Sequence, residues 1–549
     1  MIIQKIHKKK VINWEKLDKK ISDINATNKS PLYNTMLYWS QKPYNVTDFL
    51  IEYLSKQGDT ILDPFLGSGV TILEASKKIF NRKSIGIDIN DMPIFLCKNS
   101  ITIPNQYSTD LLKKFKEKIT LHENLYYTTC QLCGNKKAKI NKIIYDLSPE
   151  KKIKEFKYTC DCSKKILSKL PLENDLINFN KEYEIRKIKN IPLIPNSRIA
   201  VKDGETIFNK FSSRSLYALD IIKDKIEEET DNNTQNILWY IFSSIIHKSK
   251  ILDIKLSSQW PLWIPKKNCV ERNVFDIFFN AVDKYIVSRT YVKEFYNNKF
   301  VSSFEELYEG TSLIIQQGVQ KIDYKTIPSN VVDLVITDPP YLGQVPYSEY
   351  MQLYQPFLEN KINLDDEIVI SNAKSRNKDY NNYFRMMQEA FNNISRMLKD
   401  FGIVCLYFHD SDLTVWKDLI KVFYNSNLSF EASIHIDKKQ KTLKKILDPK
   451  KTMSGETLLF FKKNGKQATK NRTITIEDYN RIKEISLKII STNINKYAST
   501  SQLYDRGILK YIIEQGLLED VSKKYKDLTE IFSQVLEFDT EFGVWKGPI

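Results

Sequence analysis

The sequence is short of several features that would narrow its class at once. It has only seven cysteines in 549 residues, too few and too scattered for a disulfide framework. No run of 18 apolar residues occurs, which excludes a transmembrane helix. The opening stretch from Met1 to Lys10 lacks the apolar core of a secretion signal. A cytoplasmic location with no membrane partner is therefore expected. No internal repeat stands out. Charge of one sign is also in deficit: 67 Asp and Glu face 83 Lys and Arg, a formal net charge of +16. That excess favours a polyanionic partner, nucleic acid first, although compositional drift toward Lys, Asn and Ile would raise the same count. The length allows two or more domains and a sizeable core.

The most informative stretch is Asp338-Pro339-Pro340-Tyr341. It follows Val331 to Thr337, an apolar β-branched run that reads as a buried strand. The carboxylate is an acceptor. The two prolines stiffen the backbone and remove two donors, which frees the Pro339 carbonyl as a second acceptor. Tyr341 offers a flat face for stacking. Two acceptors beside an aromatic plate suit a flat group bearing an NH2, such as a nucleobase. A strand-end turn with a capping Asp is the simpler alternative for the tetrapeptide alone.

A second constellation lies near the N-terminus. The strand Thr60-Ile61-Leu62 runs into Asp63-Pro64-Phe65-Leu66-Gly67-Ser68-Gly69, a helix follows, and a second strand ends at Asp88. Strand, glycine turn, helix, strand and acid form the first half of a doubly wound nucleotide fold. The glycines let backbone approach a ligand and the helix start offers free amides. Asp88 can accept two ribose hydroxyls. The turn lacks a third glycine three residues on, and Asp63 would repel a pyrophosphate. A cofactor with an amine and no phosphates fits better, and S-adenosyl-L-methionine is such a molecule.

Residues 91–310 interrupt the alternation of strand and helix. Cys130-Gln131-Leu132-Cys133-Gly134 pairs with Cys160-Asp161-Cys162. The first pair reads as a zinc knuckle, and four thiolates around one structural Zn2+ are feasible, with His122 a substitute ligand. No open His/Glu set accompanies them, so a catalytic zinc is not indicated. The rest of the insertion reads as mostly helical. Its aromatic and basic loop from Ser257 to Lys267 suits either stacking on nucleic acid or plugging the insertion onto the core. Further on come strands ending at His409, from Phe430 to Ile436 and from Glu456 to Phe461. Lys-dense residues 437–453 either track a phosphate backbone or form a solvated loop. His409 reads as a strand-end polar contact. Helices are expected at Tyr479 to Ile490, Ile508 to Leu518 and Leu528 to Phe538.

Together these segments resemble the amino-group DNA methyltransferases of the adenine-specific type. Tyr38-Trp39-Ser40-Gln41-Lys42-Pro43-Tyr44-Asn45-Val46 resembles the family's motif near the methionine end of the cofactor, Asp63 to Gly69 its cofactor motif, and Asp338 to Tyr341 its catalytic motif. The cysteines, with Val345-Pro346-Tyr347-Ser348-Glu349, look most like the branch that carries a zinc ribbon. Two departures stand out: Gly318-Val319 where many relatives have Gly-Asp, and Val70 where Thr is common. The resemblance implies a doubly wound, mostly parallel seven-stranded Rossmann-like sheet with a large, mainly helical insertion and a C-terminal helical extension. The expected divisions are 1–105 (arm and cofactor half), 106–305 (insertion with the knuckle and target recognition), 306–465 (catalytic half) and 466–549 (extension).

The resemblance implies a catalytic set of Asp338, Pro339, Pro340 and Tyr341. It implies a cofactor set of Lys42, Pro43, Asp63, Pro64, Phe65, Gly67, Ser68, Gly69 and Asp88, and a metal set of Cys130, Cys133, Cys160 and Cys162. The expected activity is methyl transfer to the N6 amine of adenine in a specific sequence of double-stranded DNA, in a restriction-modification or defence setting with a cognate subunit. Transfer to the N4 amine of cytosine, an RNA methyltransferase, and a non-catalytic DNA-binding subunit are the alternatives. An Asp leading the tetrapeptide favours adenine over cytosine, and no separate RNA-binding module is recognisable.

Overall fold

The computed structural model describes residues 12–147, 152–179, 181–255, 261–265, 267–297, 299–408, 410–436, 450, 455–465, 470–493 and 495–547. The N-terminal arm up to residue 11, Ser257 to Trp260, Lys266, His409 and nearly all of the Lys-dense stretch 437–453 lie outside them.

The strands, in chain order, are β1 (Thr60–Asp63), β2 (Lys83–Asp88), β3 (Tyr127–Thr128), β4 (Ala138–Asp146), β5 (Lys152–Cys160), β6 (Ser163–Lys169), β7 (Leu252–Asp253), β8 (Asn268–Arg272), β9 (Phe300–Val301), β10 (Ser312–Gln316), β11 (Val332–Thr337), β12 (Leu398–Phe408), β13 (Leu428–Ile436), β14 (Glu456–Lys463), β15 (Glu537–Asp539) and β16 (Val544–Lys546). The main sheet runs β13-β14-β12-β11-β1-β2-β10-β9. All neighbours are parallel except at β14, which is antiparallel to both β12 and β13. The sheet therefore has the seven expected strands plus the two-residue edge strand β9, too short to leave a periodic trace in the sequence.

These strands read as continuous apolar runs because helices cover both faces. Side chains alternate across the sheet. Ile61, Leu334 and Ile336 pack on one face with Val46, Leu50 and Ile51 of the helix Tyr44–Leu54. Leu62 and Val335 pack on the other with Met387, Phe391 and Ile394 of the helix Tyr380–Met397. Each fully buried Ile or Leu contributes about 1.5–3 kcal/mol.

From β1 the chain steps outward to β2, makes the edge strand β9, fills the gap with β10, then crosses back to lay β11 on the other side of β1, with Ile61 opposite Leu334. The order reverses between β1 and β11. In open α/β sheets that reversal leaves a crevice outside the strands' carboxyl ends. Asp63 ends β1, and Asp338 directly follows β11.

The insertion is mixed rather than mainly helical. Its helices Gln106–Thr120, Ser213–Glu227, Asn232–Ser249 and Val274–Phe295 accompany an antiparallel sheet of order β6-β5-β4-β8-β7, with β3 on β4. In Ala138-Lys139-Ile140-Asn141-Lys142-Ile143-Ile144-Tyr145 the buried residues are interleaved with lysines that reach solvent, so the strands pass for a charged loop. The C-terminal piece is helical, but the expected helix Leu528 to Phe538 stops at Val535 and turns into a hairpin of β15 and β16. Trp545 of that hairpin is buried against Phe532 and Phe538. Among the described residues no helix is long and apolar enough to cross a membrane.

Candidate active site

A cleft opens at the carboxyl ends of β1, β2, β10 and β11. Its floor is the turn after β1. Gly67 and Gly69 sit at φ 50° and 79°, where glycine alone is unstrained. A Cβ on Gly69 would stand 2.5 Å from Cys97 Sγ, and one on Gly67 would stand 3.1 Å from the Tyr38 ring. The turn is thus pressed between the helix Asp91–Ser100 and the motif before β1.

The two acids flanking this turn are held by backbone. Asp63 Oδ1 accepts the Phe65 amide at 3.2 Å and the Thr337 hydroxyl at 2.7 Å. Asp88 accepts the Gly67 amide at 3.1 Å and the Asn90 amide at 3.0 Å. Burial raises both carboxyls to about 7, against the pull of these hydrogen bonds.

Asp338 and Pro340 line the same cleft. Oδ2 of Asp338 meets the Lys42 ammonium at 2.7 Å. Oδ1 accepts the Tyr341 hydroxyl, which also stands 2.9 Å from the Tyr407 carbonyl. Burial raises the Asp338 carboxyl, while Lys42 and Tyr341 oppose the rise. The Pro340 carbonyl accepts the Tyr383 hydroxyl at 2.7 Å, which fixes the turn to the helix Tyr380–Met397. Tyr341 lies edge-on to Phe408, with ring centroids 5.5 Å apart. In this state its hydroxyl covers part of Asp338 instead of leaving that corner open.

The cleft therefore gathers Lys42, Asp63, Pro64, Phe65, Gly67, Ser68, Asp88, Asp338 and Pro340. Pro43 caps the helix Tyr44–Leu54. Pro43, Gly69, Pro339 and Tyr341 stand outside the cleft lining.

Sequence reasoning missed part of the wall. Gln317, Gln320, Asp366 and Glu367 line it; Tyr347, already singled out in the Val345 to Glu349 string, lines it too, stacked on Tyr38 at 5.9 Å and 11°. Val319, where many relatives have an acid, is buried against the same cleft. Gln320 donates to the Asp366 carbonyl at 2.9 Å, which ties this segment to the one carrying Asp366 and Glu367. The run Asp365-Asp366-Glu367 looks like any solvated loop in the sequence.

Outside the cleft lining, the four insertion cysteines converge. Their sulfurs lie within 4.8 Å of one another, with Cys130–Cys162 and Cys133–Cys160 at 3.6 Å. That is far beyond the roughly 2.05 Å of a disulfide. It is close to the roughly 3.8 Å edge of a tetrahedron with Zn–S near 2.3 Å. The set is compatible with a structural zinc. His122 is outside it.

A family model described as a DNA methylase, of the N6/N4 methyltransferase type, matches residues 3–94 and 332–537. The type II methyltransferase M.MjaII of Methanocaldococcus jannaschii is 25% identical over 417 residues, or 69% of this chain and 72% of that protein. A solved structure from Thermus thermophilus, described as a DNA modification methylase, aligns at 14% identity and a TM-score of 0.15, covering 31% of this chain and 61% of its own. One from Listeria monocytogenes, described as a class I S-adenosylmethionine-dependent methyltransferase, aligns at 14% identity and a TM-score of 0.17, covering 44% and 53%. The chain spans only about half to three fifths of those two structures, and likeness at that level carries no argument.

Proposed function

The chain belongs to the N6/N4 family of DNA methylases, and on that premise we propose that it transfers a methyl group from S-adenosyl-L-methionine to the N6 amine of adenine in a specific sequence of double-stranded DNA. The observation that carries this reading is the shared cleft. Asp338 stands across the β1–β11 crevice from Asp63 and Asp88. Five carboxyls against the one cation Lys42 in the described lining suit a positively charged, phosphate-free ligand. Asp63, Asp88 and the Pro64 to Ser68 turn would hold it.

The bound cofactor supplies an electrophilic methyl group on a sulfonium. The protein's part is positioning and fixed dipoles. The adenine amine is a poor nucleophile because its lone pair is conjugated with the ring. Asp338 and the Pro339 carbonyl accept its two N–H bonds and draw nitrogen toward a pyramidal shape. Each acceptor contributes about 3 kcal/mol in the transition state. The base must leave the duplex, at a cost of about a few kcal/mol in lost stacking. Tyr341 must then release Asp338 and turn its face to the base.

By analogy with the archaeal type II relative, a restriction-modification setting with a cognate nuclease is proposed, as is a role for the insertion in sequence recognition. The experiment is to incubate DNA with methyl-labelled cofactor and digest it to nucleosides. Label in N6-methyladenine is expected. Label only in N4-methylcytosine would move the target to cytosine, and label in RNA but not DNA would replace the substrate class.

A further inference from the structure

Lys42 sits one residue before the proline that caps the helix Tyr44–Leu54. Its ammonium lies 2.7 Å from Asp338 Oδ2 and 3.6 Å from Oε1 of Glu456. Glu456 opens β14, beside the end of β12, where Phe408 pairs with Thr457. The ammonium also lies 5.3 Å and 5.1 Å from the ring centres of Tyr341 and Tyr407, and 3.4 Å from the Tyr341 hydroxyl. The three side chains are 12%, 15% and 13% exposed for Lys42, Asp338 and Glu456. A lysine so enclosed has little freedom to reach the carboxylate of a cofactor without abandoning its contact with Asp338.

We propose that Lys42 is a positioning residue for methyl transfer rather than a grip on the cofactor: it keeps the Asp338 carboxylate charged and aimed at the target amine, and Glu456 sets how much of the ammonium's charge Asp338 receives. The inference rests on the methyl-transfer reading above. Its physical basis is competition. A desolvated carboxylate needs a partner to remain ionised. Lys42 is nearer to Asp338 than to Glu456 by 0.9 Å, the difference of the two distances, so Asp338 is the favoured partner. Burial opposes ionisation of Asp338, Lys42 and the Tyr341 hydroxyl favour it, and Glu456 works against it. Among the described residues Asp63, Tyr38, Tyr347 and Tyr407 also face Asp338 and are influenced by its charge. A protonated Asp338 would retain one acceptor oxygen but would lose the charge that strengthens the bond to the amine.

The test uses the full chain, methyl-labelled S-adenosylmethionine and duplex DNA, with kcat and KM followed against pH. Lys42→Met should lower kcat by about 100-fold near pH 7 and move the acid limb of kcat to higher pH. Cofactor affinity should stay within about threefold of the parent. Lys42→Arg should recover most of the rate. Glu456→Gln should move the acid limb the opposite way, to lower pH. Loss of cofactor affinity alone, with kcat and its pH profile unmoved, would make Lys42 a cofactor residue and overturn the proposal. An unmoved limb in Glu456→Gln would remove the part given to Glu456. If the parent protein methylates no DNA, the methyl-transfer reading fails by itself. The pairing is then judged from the melting temperatures of Lys42→Met, Asp338→Asn and their combination. Coupled losses support it and additive losses overturn it.

Discussion

Thr337 donates its hydroxyl to Oδ1 of Asp63 across 2.7 Å, joining side chains 274 positions apart in the sequence. The last residue of β11 thereby touches the last residue of β1. Thr71 adds a second tie by donating to the Ile336 carbonyl at 3.1 Å. The turn after β1 and the Asp338 turn are locked into one frame by two hydroxyls.

Thr337→Val keeps the shape and removes the donor. The buried Asp63 carboxyl then loses a partner, which costs about 1–3 kcal/mol. A lower melting temperature is expected, with cofactor affinity weaker by about tenfold (1.4 kcal/mol). Calorimetric titration with S-adenosylmethionine checks it, and an affinity equal to the parent's would show that Asp63 does not depend on Thr337.

Asp338→Ala should abolish methyl transfer and leave cofactor binding near that of the parent. The rate loss should reach at least about 100-fold. Because removal also takes the nearer of two carboxylates from the enclosed Lys42 ammonium and leaves it Glu456 at 3.6 Å, Asp338→Ala should melt earlier as well. Asp338→Asn keeps an acceptor oxygen and should be the milder variant in both respects. Retained activity in Asp338→Ala would refute the assigned role.

The cleft acids should make both stability and binding respond to pH near neutrality. Asp63 and Asp88 are raised by burial from 3.8 to about 7. The folded chain thus holds these protons more tightly than the unfolded chain. The resulting stability is complete below about pH 4 and is lost as pH rises through about 7. The melting temperature of the ligand-free protein should fall between pH 6 and 8, and fall less in Asp88→Asn. A cationic cofactor favours the carboxylates, so its binding at pH 7 should release protons. Binding enthalpies measured in two buffers of different ionisation enthalpy should differ, and identical values would count against this reading of the cleft.

The cysteine cluster yields a compositional prediction. Purified protein should contain one zinc per chain by elemental analysis, and Cys133→Ser should lower that figure. Stripping the metal should loosen the insertion and expose its antiparallel sheet to proteolysis. Full stability without metal would show that the thiols are held by the fold alone.

Much of the site was legible because its chemistry is written in short local strings. Asp63 to Gly69 and Asp338 to Tyr341 each need a particular order of acid, proline, glycine or aromatic residue, and each follows an apolar run buried on both faces. The side chains that close the cleft were not legible. Tyr347 was seen only as part of the Val345 to Glu349 string and opens the short helix Tyr347–Met351; Asp366 and Glu367 arrive on an irregular segment with no period to flag them. Lys42 was seen only as part of a motif near the cofactor. Its contact with Glu456 depends on the pairing of β12 with β14, which no local pattern reveals. The insertion's sheet was hidden because interleaved lysines mask its alternation of buried and partly exposed residues.

The strand order has a consequence for the chain during its synthesis. β1 is flanked by β2 and β11, and Leu62 pairs with Val335. At roughly 5–20 residues per second, about 14–55 seconds separate the appearance of those two residues at the ribosome. For that interval one edge of β1, every residue of which is buried in the finished protein, has no neighbour of its own. The intervening residues 91–310, with their own antiparallel sheet, must emerge while the first half of the main sheet waits for β11 to cover that edge.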